Sequence, residues 1–153
     1  MCPIKEFEFD ETERDTVPVF TLGARVLVAE DDPALRRLIV TTFANEGYEV
    51  DEAPNGAEAL DAITAIEEGP WGPVDLLVLD LFMPRVTGLD ILRRLRAAAK
   101  TTPAILVTAF PDAAVVAESS HLHAMVLAKP FSLDMLTGSA MELLVSHSHG
   151  GAW

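Results

Sequence analysis

The sequence predicts a single α/β domain in which helices cover both faces of a parallel β-sheet. Short apolar runs alternate five times with segments of helical period, and this alternation is typical of a parallel sheet with crossover helices. The apolar runs are nearly continuous, as expected for strands buried on both faces. The 153 residues, of which 50% are hydrophobic and 23% charged, suffice for one core but not for two full domains.

The first strand is the apolar run 26–29. Asp32 and Pro33 then have the residue types of a helix N-cap and a first helical residue. Apolar residues follow at helical spacing until Gly47 ends the helix. A second strand is expected at 48–53.

A second helix runs from a cap at Asn55 to Gly69, and the continuously apolar third strand covers 76–79. The third helix, 88–99, carries leucines on its inward face, and its arginines are expected to face solvent. The remaining elements are a strand at 104–107, a short helix at 111–119, a strand at 124–128 and a helix from the cap Ser132 to about 145. The arginines of the third helix are Arg93, Arg94 and Arg96.

The composition disfavours several classes of function. Eleven Lys and Arg residues against 24 Asp and Glu residues give a net charge of −13, which disfavours binding to nucleic acid or to an anionic membrane surface. No apolar run reaches the ~20 residues of a membrane span, and the lone Cys2 fits a reducing compartment. We therefore expect a cytoplasmic protein with an acidic extension at 1–23, a domain at 24–146 and a tail at 147–153.

Polar residues follow four of the apolar strands. Glu30 and Asp31 follow the first strand, Asp80 the third, Thr108 the fourth and Lys129 the fifth. The carboxyl ends of parallel strands meet at one edge of a sheet, so the three carboxylates would repel each other unless a cation separates them. Oxygen ligands without His or Cys favour Mg²⁺. A carboxylate beside Mg²⁺, a hydroxyl and an ammonium group is suited to phosphoryl transfer, and the simplest product is an acyl phosphate on the protein itself.

Four segments carry a resemblance to a known family. With these segments in this order, the chain resembles the receiver domain of two-component response regulators over roughly 25–145. The resemblance implies a flavodoxin-like doubly wound (βα)5 fold with a five-stranded parallel sheet of order 2-1-3-4-5. The segments are VLVAEDDPALRRL at 26–38, VDLLVLDLFMPRVTGLDIL at 74–92, ILVTA at 105–109 and LAKPF at 127–131.

The resemblance also implies a role for each residue at the strand ends. Asp80 is the expected phospho-acceptor and a Mg²⁺ ligand. Asp31 is expected to bind Mg²⁺ directly, Glu30 through a water molecule, and Phe82 through its backbone carbonyl. Asp32 is interpreted as a helix cap only.

Thr108 and Lys129 are expected to contact the phosphoryl group, and the peptide bond between Lys129 and Pro130 is expected to be cis. Pro84 and Gly88 are expected to shape the loop beneath the site.

The chain departs from the family pattern at Val126 and in the stretch 119–124, which replaces the usual Gly-Ala turn and is about one residue shorter. Val126 stands where the family usually has an aromatic residue that acts as a rotamer switch, so we expect an unusual face around the fourth and fifth helices, where receivers typically dimerise or dock. Phe82 and Phe110 lie two residues past Asp80 and Thr108. Their rings cannot orient a water molecule, which predicts slow hydrolysis of an acyl phosphate. The alternative is that both rings pack on the surface away from the site.

The leading hypothesis is a signalling receiver, not an enzyme with a separate substrate, that takes a phosphoryl group from a histidine kinase or phosphotransfer protein. It would signal by binding a downstream protein target, with a homodimer as a further candidate. The alternative is a protein-interaction module that works without phosphorylation, which Val126 favours and the intact set of polar residues opposes. A phosphohydrolase is disfavoured, because Phe82 stands where such an enzyme carries a second Asp.

Overall fold

Strands and helices alternate along residues 23–148, which are the residues that the computed structural model describes. The acidic extension, apart from Gly23, lies outside the described residues, as does the part of the tail beyond 148. Among the described residues, no helix is long and apolar enough to cross a bilayer. The elements are β1 (Arg25–Ala29), α1 (Pro33–Asn45), β2 (Glu49–Ala53), α2 (Gly56–Glu68), β3 (Leu76–Asp80), α3 (Gly88–Ala97), β4 (Ala104–Thr108), α4 (Ala113–His121), β5 (Ala124–Ala128) and α5 (Leu133–Ser148).

The five strands form one sheet in the order β2-β1-β3-β4-β5, and every neighbouring pair is parallel. This order confirms the predicted fold class. It also places the carboxyl ends of β1 and β3 side by side, with β4 and then β5 beyond them. The polar residues that end these four strands therefore meet at one edge of the sheet.

The core has two layers, because alternate residues of a strand point to opposite faces of the sheet. On one face, leucines of the central strands pack against α2 and α3 through residues such as Ile63 and Leu92. On the other face, Val26, Val28 and Val78 pack against α1 and α5. A helix layer on each face fixes the position of the central strands.

The expectation that every strand is buried on both faces was wrong for the two edge strands. Every residue of β3 and β4 is buried, but β2 has the sequence EVDEA and buries Ala53 alone. Within β5, Leu127 is the buried residue. An edge strand has a neighbour on one side only, so less of its surface is covered and charged side chains are tolerated there.

Some helix boundaries and one side chain differ from the expectation. The fourth helix begins after the N-cap Asp112 and the fifth continues to Ser148, past the expected end at 145. Arg96 does not simply face solvent: its guanidinium is partly buried and donates to the carbonyls of Lys100, Thr102 and Leu122. Arg96 thereby ties α3 to the loop before β4 and to the turn after α4.

Candidate functional site

The carboxyl edge of the sheet holds a cluster of three carboxylates. Oxygen atoms of Glu30, Asp31 and Asp80 all lie within 4.8 Å of one another. Glu30 is 1% exposed and Asp80 5% exposed, whereas Asp31 is exposed to solvent. The parallel pairing of β1 with β3 brings these residues together, as the sequence predicts.

Backbone hydrogen bonds fix the acidic loop that follows β1. The Glu30 amide donates to the Ala53 carbonyl at 3.2 Å. The Glu30 carboxylate oxygen Oε2 accepts from the Asp32 amide at 3.1 Å. The Asp32 side chain in turn accepts from the Ala34 amide at 3.0 Å, which confirms that it caps α1. The loop is therefore held at both ends, with Asp31 between them.

A lysine approaches the cluster from the end of β5. The ammonium Nζ of Lys129 lies 3.3 Å from Glu30 Oε1 and 3.5 Å from Asp80 Oδ2. The Lys129 amide donates to the Thr108 carbonyl at 2.8 Å, so β4 positions the lysine. The bond between Lys129 and Pro130 is cis, as expected. One ammonium group thus contacts the two most buried carboxylates.

The electrostatics of the cluster favour a bound cation. Burial raises the pKa of the Glu30 carboxyl to about 7. Burial also raises the pKa of Asp80, although the hydrogen bond with Glu30 and the charge of Lys129 act in the opposite direction. Ionising Glu30 and Asp80 together therefore costs free energy, and a divalent cation would offset that cost. Three carboxylates without a His or Cys ligand fit a hard cation such as Mg²⁺.

Thr108 and two phenylalanines surround the acidic cluster. Thr108 is fully buried, and its hydroxyl Oγ1 accepts from the Phe110 amide at 3.0 Å. The Phe82 amide donates to Asp80 Oδ1 at 3.3 Å. The rings of Phe82 and Phe110 are 55% and 70% exposed and meet edge to face with centroids 6.4 Å apart. The backbone amides of both phenylalanines thus contact Asp80 or Thr108, while their rings are exposed and pack against each other.

The loop after β3 depends on Gly88. A Cβ atom at this position would lie 2.8 Å from the Asp80 carbonyl oxygen and 2.8 Å from the Leu106 side chain. The Gly88 amide donates to the Leu81 carbonyl at 3.1 Å. The glycine thus lets the start of α3 pack directly on the end of β3.

Pro84 and Pro130 are both exposed beside the site.

Comparison with known proteins decides the family. Residues 26–140 match the family model for the response regulator receiver domain. The chain therefore belongs to that family. Receiver domains are signalling modules of two-component systems.

Two relatives and one solved structure illustrate the range of the family. The sporulation initiation phosphotransferase F of Bacillus subtilis is 32% identical over 124 residues, which are 80% of this chain and 95% of the relative. The transcriptional regulatory protein TrcR of Mycobacterium tuberculosis is 37% identical over 128 residues, which are 82% of this chain and 47% of the relative. The chemotaxis protein CheY4 of Vibrio cholerae superimposes with a TM-score of 0.69 at 26% identity, covering 79% of this chain and 98% of CheY4.

Position 126 of this receiver domain lies in the strand next to the site. Val126 pairs in register with Leu106 of β4 and is half-buried. A valine has no ring that could swing between exposed and buried positions.

One contact in this receiver domain had no place in the sequence-based reasoning. Arg36 of α1 donates from Nη1 to the Glu30 carbonyl at 2.8 Å and from Nε to the Glu52 carboxylate at 3.0 Å. No motif marks this contact in the sequence, although Arg36 lies in helical phase with the apolar residues Ile39 and Phe43.

Proposed function

We propose that this receiver domain accepts a phosphoryl group on Asp80 in the presence of Mg²⁺ and signals through altered binding to other proteins. Response regulators work with histidine kinases or phosphotransfer proteins, and a protein of this kind is the expected donor. The observation that carries the proposal is the contact of Asp80 with both the acidic cluster and Lys129. A downstream protein target is expected, and a homodimer is the second candidate. The lone Cys2 supports the cytoplasm as the compartment.

The proposed chemistry is an attack by an Asp80 carboxylate oxygen on phosphorus. The bond between phosphorus and the donor nitrogen breaks, and its electron pair leaves with the donor. The Lys129 ammonium lies 3.5 Å from Asp80 and can pair with the phosphoryl oxygens. Thr108 ends β4, in which the preceding residue Val107 pairs with Asp80, and its hydroxyl is the expected donor to another phosphoryl oxygen.

Mg²⁺ fits the same site. Asp31, Asp80 and the Phe82 carbonyl would hold it directly and Glu30 through water, and the ion would neutralise charge on the transferred group. The close approach of the three carboxylates supports this assignment.

The direct test is labelling with a small phosphodonor. Acetyl phosphate with Mg²⁺ should add one phosphoryl group to the wild type and none to Asp80→Asn, as measured by intact-protein mass spectrometry. Asp61→Asn is the matched control, because Asp61 is an exposed carboxylate of α2. Equal labelling of Asp80→Asn would falsify the assignment.

An interaction module that needs no phosphorylation remains the alternative, and Val126 is the residue that favours it. Beryllofluoride with Mg²⁺ mimics a phosphoryl group and should shift the amide resonances of Asp80, Thr108 and Lys129. A spectrum that does not respond at saturating concentrations would favour the alternative.

A further inference from the structure

Arg36 links three elements beside the acidic cluster. Its guanidinium contacts the carbonyl of Glu30, the residue that follows β1, and the carboxylate of Glu52 in β2, while its own backbone belongs to α1. The Arg36 side chain is 18% exposed, whereas that of Glu52 is 53% exposed. The ion pair with the exposed Glu52 carboxylate alone would contribute little to stability. The hydrogen bond to the Glu30 carbonyl is therefore the contact by which Arg36 holds the loop after β1.

The carbonyl that Arg36 binds belongs to the peptide group between Glu30 and Asp31. Because a peptide group is planar, fixing its oxygen also fixes the amide nitrogen of Asp31. The Glu30 amide is already bound to Ala53, and the Asp32 amide is bound to the Glu30 carboxylate. The Arg36 contact restricts the remaining rotation and so sets the direction in which the Asp31 side chain leaves the backbone.

We propose that Arg36 is a positioning residue of the metal site: it orients the Glu30–Asp31 peptide so that the Asp31 carboxylate faces Asp80. This inference rests on the proposed function, because it assigns Asp31 to Mg²⁺. A guanidinium group can make both contacts at once through different nitrogens, which one ammonium group cannot do with the same geometry.

Charge and position predict opposite effects when Arg36 is removed. Loss of a cation near three carboxylates strengthens the attraction for Mg²⁺ by Coulomb's law alone. Loss of a positioning contact misdirects one ligand and weakens binding. Residues that orient metal ligands typically contribute 10- to 100-fold to metal affinity, so the weakening should outweigh the charge effect. The sign of the change therefore separates the two explanations.

The experiment compares Mg²⁺ affinity in Arg36→Gln and Arg37→Gln by NMR titration. Arg37 is the neighbouring, exposed arginine, so its variant removes the same charge from the same helix without removing the contact. Arg36→Gln should bind Mg²⁺ about tenfold more weakly than the wild type, and Arg37→Gln should bind as well or slightly better. Arg36→Lys, which keeps the positive charge but has a single donor nitrogen, should recover part of the loss. Unchanged or tighter binding by Arg36→Gln would overturn the proposal.

A metal-free measurement separates this proposal from the proposed function. Amide hydrogen exchange at Asp32, whose amide donates to the Glu30 carboxylate, should be faster in Arg36→Gln than in the wild type, and unchanged in Arg37→Gln. If the wild type binds no Mg²⁺, the proposed function fails, and the exchange rates alone decide the role of Arg36. Exchange at Asp32 that does not respond to Arg36→Gln would refute it.

Discussion

Replacing Glu30 with Gln should make the metal-free protein more stable at neutral pH relative to the wild type. Burial raises the pKa of this carboxyl from an ordinary 4.5 to about 7 in the folded state. The folded protein therefore binds more protons than the unfolded chain between these two values. Because the unfolded state binds fewer protons, the free energy of unfolding falls as the pH rises through this window.

The structure sets the size of the effect. The difference between the two pKa values of Glu30 corresponds to about 3 kcal/mol. The full contribution is present below pH 4.5 and is lost above pH 7, when Glu30 must be ionised inside the fold. A glutamine keeps the side-chain oxygen that accepts from the Asp32 amide at 3.1 Å, but it cannot ionise.

Urea unfolding in the presence of EDTA at pH 5 and at pH 7.5 measures the effect. The free energy of unfolding of Glu30→Gln, relative to the wild type, should rise by about 2 to 3 kcal/mol between the two pH values. Glu68→Gln is the control, since Glu68 is an exposed carboxylate of α2 and its variant should follow the wild type. Equal pH dependence in Glu30→Gln and the wild type would refute the reasoning. A loss of stability at pH 7.5 would show that the Lys129 ion pair outweighs burial.

Two further predictions concern the metal and the lifetime of the phosphorylated state. Mg²⁺ at ~100 times its Kd should raise the free energy of unfolding by about 2.7 kcal/mol, and Asp31→Ala should abolish this gain. A melting temperature of the wild type that does not change on addition of Mg²⁺ on the order of 10 mM would contradict the assignment of the metal site. Phe82→Asn and Phe110→Glu should each speed phosphate loss after the donor is removed, the double variant most, because polar side chains can orient the attacking water. Equal decay in the variants and the wild type would show that the exposed ring pair leaves the water's path open.

Much of the site follows from the sequence because it depends on strand ends alone. Glu30, Asp31 and Asp80 had to meet once β1 and β3 paired in parallel, and the strand order then brought Lys129 close from β5. The strand order alone predicts that these residues lie close together, whereas the direction of the Asp31 side chain depends on the loop after β1. The burial of Arg96 was not predictable in the same way. Two of its carbonyl partners, Lys100 and Thr102, lie in the loop directly after α3, but the third, Leu122, follows α4 and comes close only in the folded chain.

The contact of Arg36 with the strand ends could have been predicted from its position in the helical repeat of α1. Residues three and seven positions later on the same face of α1 are Ile39 and Phe43, which are both fully buried. Arg36 therefore begins the stripe of α1 that faces the sheet, at the end of the helix nearest the acidic edge, whereas Arg37 is turned toward solvent. An arginine on a core-facing stripe is costly unless its donors find acceptors. The acceptors nearest to it are the carbonyl and carboxylates at the ends of β1 and β2, so the apolar spacing of α1 points to this contact even though no motif marks it.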